Sequence, residues 1–197
     1  NLNHHRAVVQ GLRQLGRIDE ALRWVQRARL RPAGAADAAL AKEETALRLA
    51  QHEERVRAAA AACAAMPGDR AAETALLTAR GEAAAWRLGA AQAWVERYPN
   101  DPAARQEFGE LLRERGEVEA AIAQFQAAMK SPATRIAALV GLGRCFATKQ
   151  LFDLAVAQLS TAKAELGAMT EQKKEVLYEL GTALEAMGRR EEAMAEF

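Results

Sequence analysis

Residues 101–132 read DPAARQEFGELLRERGEVEAAIAQFQAAMKSP, and this stretch contains the features that decide the fold. Asp101 followed by Pro102 predicts a helix start, because a capping carboxylate and a proline in the first turn are favoured there. Gly116 predicts a turn after a helix end, since glycine readily adopts the left-handed conformation. Pro132 predicts the start of another helix, because proline is not tolerated inside one. The stretch therefore predicts two helices joined by a tight turn.

The apolar residues support the same interpretation. They recur at steps of three and four, which places them on one face of a helix. The same steps return in the following stretch, and no segment shows sustained alternation of apolar and polar residues. An all-α fold is therefore predicted. The apolar positions of the two stretches are Phe108, Leu111, Leu112, Val118, Ala121, Ile122, Phe125 and Ala128, then Leu139, Leu142, Phe146, Leu154, Ala155, Leu159 and Ala162.

Four of the five prolines mark a repeat. Pro32, Pro67, Pro99 and Pro132 are separated by 35, 32 and 33 residues, and helix breakers at near-constant spacing are typical of repeat arrays. Glycines at 16, 81, 116 and 188 predict a softer break inside each unit. The units are approximately 1–32, 33–67, 68–100, 101–133, 134–170 and an incomplete 171–197. The predicted helices are 4–15, 18–30, 35–50, 53–66, 69–80, 82–97, 102–115, 118–130, 132–148, 152–167, 171–187 and 190 onward.

The motif within these units resembles the tetratricopeptide repeat (TPR) family, whose pattern is W-x2-L-G-x2-Y, then A-x3-F, then P. One copy runs Leu139-x2-Leu142-Gly143-x2-Phe146, followed by Ala155-x3-Leu159, and others contain Gly109 with Ala121-x3-Phe125 and Gly181 with Ala193-x3-Phe197. The resemblance implies a right-handed superhelical solenoid of antiparallel helix pairs, with about five and a half to six units. Units 33–67 and 68–100 match mainly in length and closing proline.

The residue types of the motif have a physical reason. Gly143 and Gly181 are expected where the two helices of a pair cross, because a side chain there would force them apart. Phe125 and Leu159 are expected to fill the space between successive pairs. Since one pair cannot bury its own apolar face, stability should come from stacking on neighbours. Phe197 falls inside an incomplete pair without a polar cap, so we expect the chain to be part of a longer protein.

Composition and charge restrict the function only weakly. Half of the residues are hydrophobic but 5% are aromatic, and the net charge is +1. Residues 1–32 carry seven arginines against Asp19 and Glu20, whereas residues 171–197 carry seven glutamates against four basic residues. Residues 58–66 are too short an apolar run to span a bilayer, which needs about 20 residues. The default expectation is a cytoplasmic protein, with a removed leader left open.

No site for catalysis, a cofactor or a metal is predicted, so the chain is not expected to be an enzyme. Adjacent His4 and His5 point about 100° apart on a helix and cannot easily share a metal. His52 is not part of an H-E-x-x-H motif, and no phosphate-binding glycine loop is present. Cys63 and Cys145 are distant in sequence and are interpreted as small buried hydrophobic residues.

Two other surfaces are candidates for binding. The arginines at 23, 27, 29 and 31 have only Trp24 nearby, whereas nucleic-acid binding requires more basic charge and stacking aromatics; a solvated face and no nucleic acid are predicted. Trp86, Trp94 and Tyr98 share a helix face. They are interpreted as packing residues, with an exposed aromatic anchor for a partner as the alternative.

The resemblance implies that the first helix of each pair lines the concave side of the array and binds a partner. Such a groove can hold an extended peptide or a helix. The family's two-carboxylate clamp for chaperone tails is absent, because its positions hold other residue types. The predicted groove residues are Arg6, Gln10, Arg13, Gln106, Glu110, Arg113, Val140, Ala147, Arg144, Tyr178, Thr182 and Glu185.

The leading hypothesis is thus a non-catalytic protein-interaction scaffold that binds a partner protein or peptide through this groove. Two alternatives remain. The basic first end and the acidic last end could associate head to tail in a homo-oligomer. The chain could also be a regulatory domain of a larger enzyme, which only the sequence outside these residues would test.

Overall fold

A computed structural model describes residues 2–167 and 170–197, with side chains described from residue 4 onward. The described residues form eleven α-helices and no β-strand, which confirms the all-α prediction. Most helix bounds agree with the predicted ones within one or two residues. The helices are α1 (Leu2–Gln14), α2 (Ile18–Arg29), α3 (Pro32–Ala35), α4 (Ala38–Ala65), α5 (Arg70–Arg97), α6 (Pro102–Glu114), α7 (Val118–Ala128), α8 (Arg135–Thr148), α9 (Phe152–Glu165), α10 (Glu171–Ala186) and α11 (Arg190–Glu196).

The chain divides into two compact units at the boundary between Ala90 and Ala91. We call them the first unit and the second unit. The first unit contains α1 to α4 and most of α5, and the second contains the last turns of α5 and α6 to α11.

In the first unit, α2 packs against both α1 and the first half of α4. Apolar side chains from all three helices meet in one core. The short α3 packs against the C-terminal end of α2. Glycine is needed at position 34, because a Cβ there would collide with the carbonyl oxygen of Ala28. The buried members of this core are Val9, Ile18, Ala21, Leu22, Val25 and Leu47.

The helices α4 and α5 differ from the prediction. Each is a continuous helix of 28 residues, so the predicted breaks near residues 51–52 and at Gly81 were wrong. The physical reason is that no strong breaker lies at 51–52. A single glycine in a helix interior costs only about 1 kcal/mol relative to alanine, and a Cβ at Gly81 would meet nothing within 4 Å.

The less exposed side of each long helix carries residues at alternating steps of three and four. This spacing is typical of a coiled-coil seam. The rings of His52 and Trp86 join the two seams with their centroids 5.5 Å apart. The sequence contains this signal, which the spacing of prolines and glycines does not reveal. The half-buried seam residues are Leu49, His52, Val56, Ala59 and Cys63 on α4 and Leu76, Ala79, Ala83 and Trp86 on α5.

The second unit contains three helix pairs, α6 with α7, α8 with α9, and α10 with α11. The second helix of one pair packs against the first helix of the next, and the first helices α6, α8 and α10 are also in contact. This is the stacking that the repeat predicted. The core of the last two pairs contains Leu139, Val140, Ala155, Leu159, Ala162, Val176, Leu180, Ala183, Leu184 and Ala193.

The glycines at the helix crossings have the predicted role. A Cβ on Gly143 would lie 2.7 Å from Leu159 Cγ, and one on Gly181 would lie 2.7 Å from Phe197 Cε1. The fully buried ring of Phe125 lies between Gly109 and Gly141. Glycine at these positions therefore allows the helices to approach each other.

The helix ends show one agreement and one correction. The carboxylate of Asp101 accepts a hydrogen bond from the Ala104 N–H at 3.1 Å, as predicted for the start of α6. Pro132, however, lies in a turn, and α8 begins only at Arg135. The Thr134 hydroxyl donates to the Ala128 carbonyl at 2.7 Å. This bond holds the turn against the end of α7, so α8 begins later in the sequence than predicted.

The turn between α8 and α9 lacks the expected glycine. Gly16, Gly116 and Gly188 have positive φ values of 71°, 84° and 77° in the equivalent turns, whereas Gln150 has a φ of 59°. Its N–H donates to the Ala147 carbonyl at 2.9 Å, so the turn closes in the same way. A non-glycine residue in this conformation costs about 1–2 kcal/mol.

Candidate partner-binding surface

The first helices of the second unit form one polar face. Because α8 contacts both α6 and α10, residues on the same side of these three helices are neighbours. We call the set Gln106, Glu110, Arg113, Arg144, Tyr178 and Thr182 the groove surface. It contains six of the predicted groove residues, and all six lie on these three first helices.

On α6, the groove residues form a hydrogen-bonded row. The Gln106 side chain donates to the Glu110 carboxylate at 3.5 Å. The same carboxylate accepts from Arg113 at 3.0 Å. All three side chains are half-buried, and the shorter of the two bonds holds Arg113 beside Glu110.

On α8, Arg144 joins two repeats. Its guanidinium donates to Glu175 at 2.5 Å and to Glu179 at 2.9 Å, both on α10. Burial alone would lower the pKa of Arg144, but these two ion pairs outweigh it and raise the pKa above its usual value. Arg144 therefore stays charged and fixes α8 against α10.

Val140 does not belong to this face. It is only 6% exposed and packs within the core of the last two pairs. It therefore offers almost no surface to a partner. The apolar position predicted within the groove is better described as part of the scaffold beneath it.

On α10, Tyr178 is the exposed aromatic residue of the groove surface. Its side chain is 64% exposed, and its ring lies 5.9 Å from that of Phe197. Thr182, one turn later, is also exposed and donates to the Tyr178 carbonyl at 2.8 Å. Glu185 continues the same exposed side of the helix.

The three predicted groove residues of the first unit line a separate cavity of about 330 Å³ between α1 and α4. Arg6 donates to Asp37 at 2.6 Å, and Arg13 donates to Glu43 at 3.3 Å. Hydrogen bonds from the Leu40 N–H and the charge of Arg6 hold the pKa of Asp37 below its usual value. Gln10 is exposed between the two arginines, and Val9 and Leu40 form the apolar floor.

The acidic partners of these arginines were not predicted from the sequence. Arg6 pairs with Asp37, Arg13 with Glu43, and Arg144 with Glu175. The separations of 31, 30 and 31 residues are close to one repeat. Aligning each arginine with acidic residues one repeat later would have found these pairs.

The aromatic alternatives are resolved as packing. Trp24 contacts the His5 ring at 5.4 Å and packs on the core of the first unit. Trp94 lies 4.5 Å from Tyr98 and donates from its indole nitrogen to Asp101 at 3.2 Å. Together with the contact between His52 and Trp86, these contacts favour the packing interpretation.

Among the described residues, no three His, Cys, Asp or Glu side chains lie close enough to hold a metal ion. Burial raises the pKa of the Cys145 thiol to about 11, which makes it a poor nucleophile. No described helix is both long enough and apolar enough to cross a membrane.

Comparison with known proteins identifies the fold. No protein-family model matches the sequence, and no curated protein sequence matches it significantly. The solved structure titled "MamA RS-1 ArsTM double mutant" has a TM-score of 0.64 and 15% identity, covering 99% of this chain and 89% of that one. A thermophilic TPR protein from Thermus thermophilus has a TM-score of 0.51 and 19% identity, covering 100% and 88%.

A third similar structure contains the nearly identical TPR-like repeats of a putative kinesin light chain from Podosopora anserina. Its TM-score is 0.52 at 20% identity, covering 99% of this chain and 90% of that one. These similarities span essentially the whole sequence. The chain therefore has the tetratricopeptide-repeat fold.

Proposed function

We propose that this chain is a non-catalytic scaffold that binds a partner protein or peptide through its groove surface. The observation that carries the proposal is the double ion pair of Arg144 with Glu175 and Glu179, which precede and follow the exposed Tyr178 on α10. It provides fixed polar side chains on the same helix as an accessible aromatic residue, and aromatic residues are enriched among the residues that dominate binding energy.

The arrangement is suited to binding because its polar side chains are already ordered. Each rotamer-rich side chain that becomes immobilised on binding costs about 0.5–1.5 kcal/mol. The groove residues Gln106, Glu110 and Arg113 have neighbouring partners in the free protein. A partner segment, extended or helical, would therefore meet a surface that needs little rearrangement.

The cavity between α1 and α4 supports a second contact region on the same array. Arg6, Gln10 and Arg13 surround its apolar floor and keep part of each side chain exposed. We propose that residues 1–197 act as one array with both regions contributing to binding. The proposed compartment is the cytoplasm, and nucleic acid is not proposed as a ligand.

Site-specific cross-linking tests the proposal. A photoreactive benzoylphenylalanine placed at Thr182 should cross-link a partner in the native cell, and Tyr178→Ala should reduce the yield. The matched control carries the same group at Glu191, which is exposed on the second helix α11. Equal cross-linking from both positions would contradict binding through the groove surface.

Self-association is the second candidate, and the charge distribution favours it. Arg23 and Arg27 are exposed near the basic end, and Glu171 and Glu191 are exposed near the acidic end. Opposite charges would favour head-to-tail contact between copies. Light scattering should then show oligomers at low salt that dissociate by a few hundred millimolar, whereas a monomer at low salt would remove this candidate.

A further inference from the structure

We propose that the segment bound by the groove surface is basic and places an arginine or lysine side chain over Tyr178. This inference rests on the proposed function and adds the chemistry of the partner. It begins from the charge of α10. Four glutamates, Glu171, Glu175, Glu179 and Glu185, lie on this helix with Lys173 and Lys174, and the Lys174 ammonium is already paired with Glu171 at 2.7 Å.

The carboxylate of Glu175 is more accessible than the cation with which it pairs. The Arg144 side chain is 24% exposed, whereas that of Glu175 is 52% exposed. One cation also serves both Glu175 and Glu179, each through a single oxygen. An approaching partner can therefore reach the Glu175 carboxylate, which can accept further hydrogen bonds, more readily than the Arg144 guanidinium.

The exposed side of α10 combines these carboxylates with an aromatic ring. Glu171, Glu175, Tyr178, Thr182 and Glu185 follow each other at steps of three and four and are all exposed. A cation over a tyrosine ring is attracted by the negative face of the ring. A carboxylate one turn away adds a charge-assisted hydrogen bond.

The middle helix α8 contributes the cation Arg144 to this side, and its guanidinium is already engaged by Glu175 and Glu179. Ala137 and Ala147 of the same helix are small and half-buried, and Val140 is buried. A segment crossing α8 would therefore have room, with acidic side chains on both flanks. An acidic segment would be repelled by the glutamates of α6 and α10, so a negatively charged partner is disfavoured.

Binding of two peptides of opposite charge tests the inference. The probe is a fluorescein-labelled peptide of three Gly-Arg-Gly-Lys units, compared with one of three Gly-Glu-Gly-Asp units, measured by fluorescence anisotropy with the full chain. We expect the basic peptide to bind and the acidic one not to bind. The double variant Glu175→Gln with Tyr178→Ala should weaken the basic peptide about tenfold, from the loss of an ion pair and a cation–π contact.

The control variant is Glu191→Gln, which removes the same charge from α11 of the same unit. It should change the affinity by less than about twofold, because a single exposed charge at that distance is largely screened. Circular dichroism should give the same helix content for all three proteins, since Glu175 and Tyr178 are exposed and glutamine can still accept from Arg144.

Two results would overturn the inference: equal binding of both peptides, or equal effects of the double variant and the control. Its failure is distinguishable from failure of the proposed function. If cross-linking from position 182 captures a partner that Glu175→Gln does not weaken, the scaffold proposal stands and the basic segment is excluded. If that position also captures nothing beyond the Glu191 control, both fail.

Discussion

Replacing glycine by alanine should affect stability differently at Gly141, which lies at a helix crossing, and at Gly81, which lies on an open helix surface. A Cβ at position 141 would lie 2.6, 2.7 and 2.8 Å from Phe125 Cζ, Cε1 and Cε2. A Cβ at position 81 would meet no heavy atom within 4 Å. The same chemical change should therefore alter stability in opposite directions at the two sites.

The magnitudes follow from two competing effects. Alanine is favoured over glycine in a helix interior by about 1 kcal/mol, so Gly81→Ala should raise the free energy of unfolding by about 0.5–1 kcal/mol. At position 141 the ring of Phe125, which is 0% exposed, would have to move. Overpacking a core costs about 1–3 kcal/mol, so Gly141→Ala should lower the free energy of unfolding by up to about 2 kcal/mol.

Urea unfolding followed by far-ultraviolet circular dichroism measures both effects. With m values of about 1–3 kcal/mol/M, the two unfolding midpoints should differ by roughly 1 M. Adding Phe125→Leu should make Gly141→Ala less harmful, which a double-mutant cycle reports as a coupling energy. If Gly141→Ala proves as stable as Gly81→Ala, the assigned helix crossing is wrong. If Gly81→Ala destabilises, α5 is not continuous there.

Three further predictions concern single positions. Gln150→Gly should raise the free energy of unfolding by about 1 kcal/mol, because it removes a left-handed non-glycine residue; no gain in thermal unfolding would refute the assigned turn. Half-buried Cys63 should react with a thiol reagent in the folded protein, whereas Cys145, which is buried with a pKa of about 11, should react only at the rate of local unfolding; equal rates would contradict this. Burial, with a smaller effect from the charge of Arg31, lowers the pKa of His5 below 6.5. The unfolded chain therefore binds a proton on His5 more readily than the folded chain does, so the free energy of unfolding should be highest above about pH 6.5 and should fall as the pH drops below it. If the melting temperature of His5→Phe has the same pH dependence as that of the unchanged protein, this cause is excluded.

The parts of the fold that the sequence predicted depend on local signals. Gly16, Gly116 and Gly188 end helices through their own backbone conformation, and Asp101 caps a helix through its own side chain. Such signals act within a few residues, so they can be interpreted without knowing the tertiary structure. The agreement of most helix bounds follows from them.

The errors arose where a local signal was weak or a distant residue intervened. Gly81 was interpreted as a break, but its cost of about 1 kcal/mol is small compared with the stability of a 28-residue helix. Pro132 was interpreted as a helix start, but Thr134 bonds back to Ala128 and holds a turn there. Neither outcome is decided by the residue itself.

The helices that carry the groove surface were predictable, but the ion pairs between them were not. The repeat register placed Arg144 and Tyr178 on first helices, and they lie on α8 and α10. The acidic partners Glu175 and Glu179 come from the next repeat, about 30 residues later, and required the packing of α8 against α10. Val140 was misplaced because a small rotation of α8 decides which side chains enter the core.

Hydrogen exchange followed by mass spectrometry on the complex with the cross-linked partner tests the central claim most directly. Binding through the groove surface predicts slower exchange in peptides from α6, α8 and α10, with little change in the second helices α7 and α9. Protection confined to α4 and α5, or spread equally over first and second helices, would contradict it.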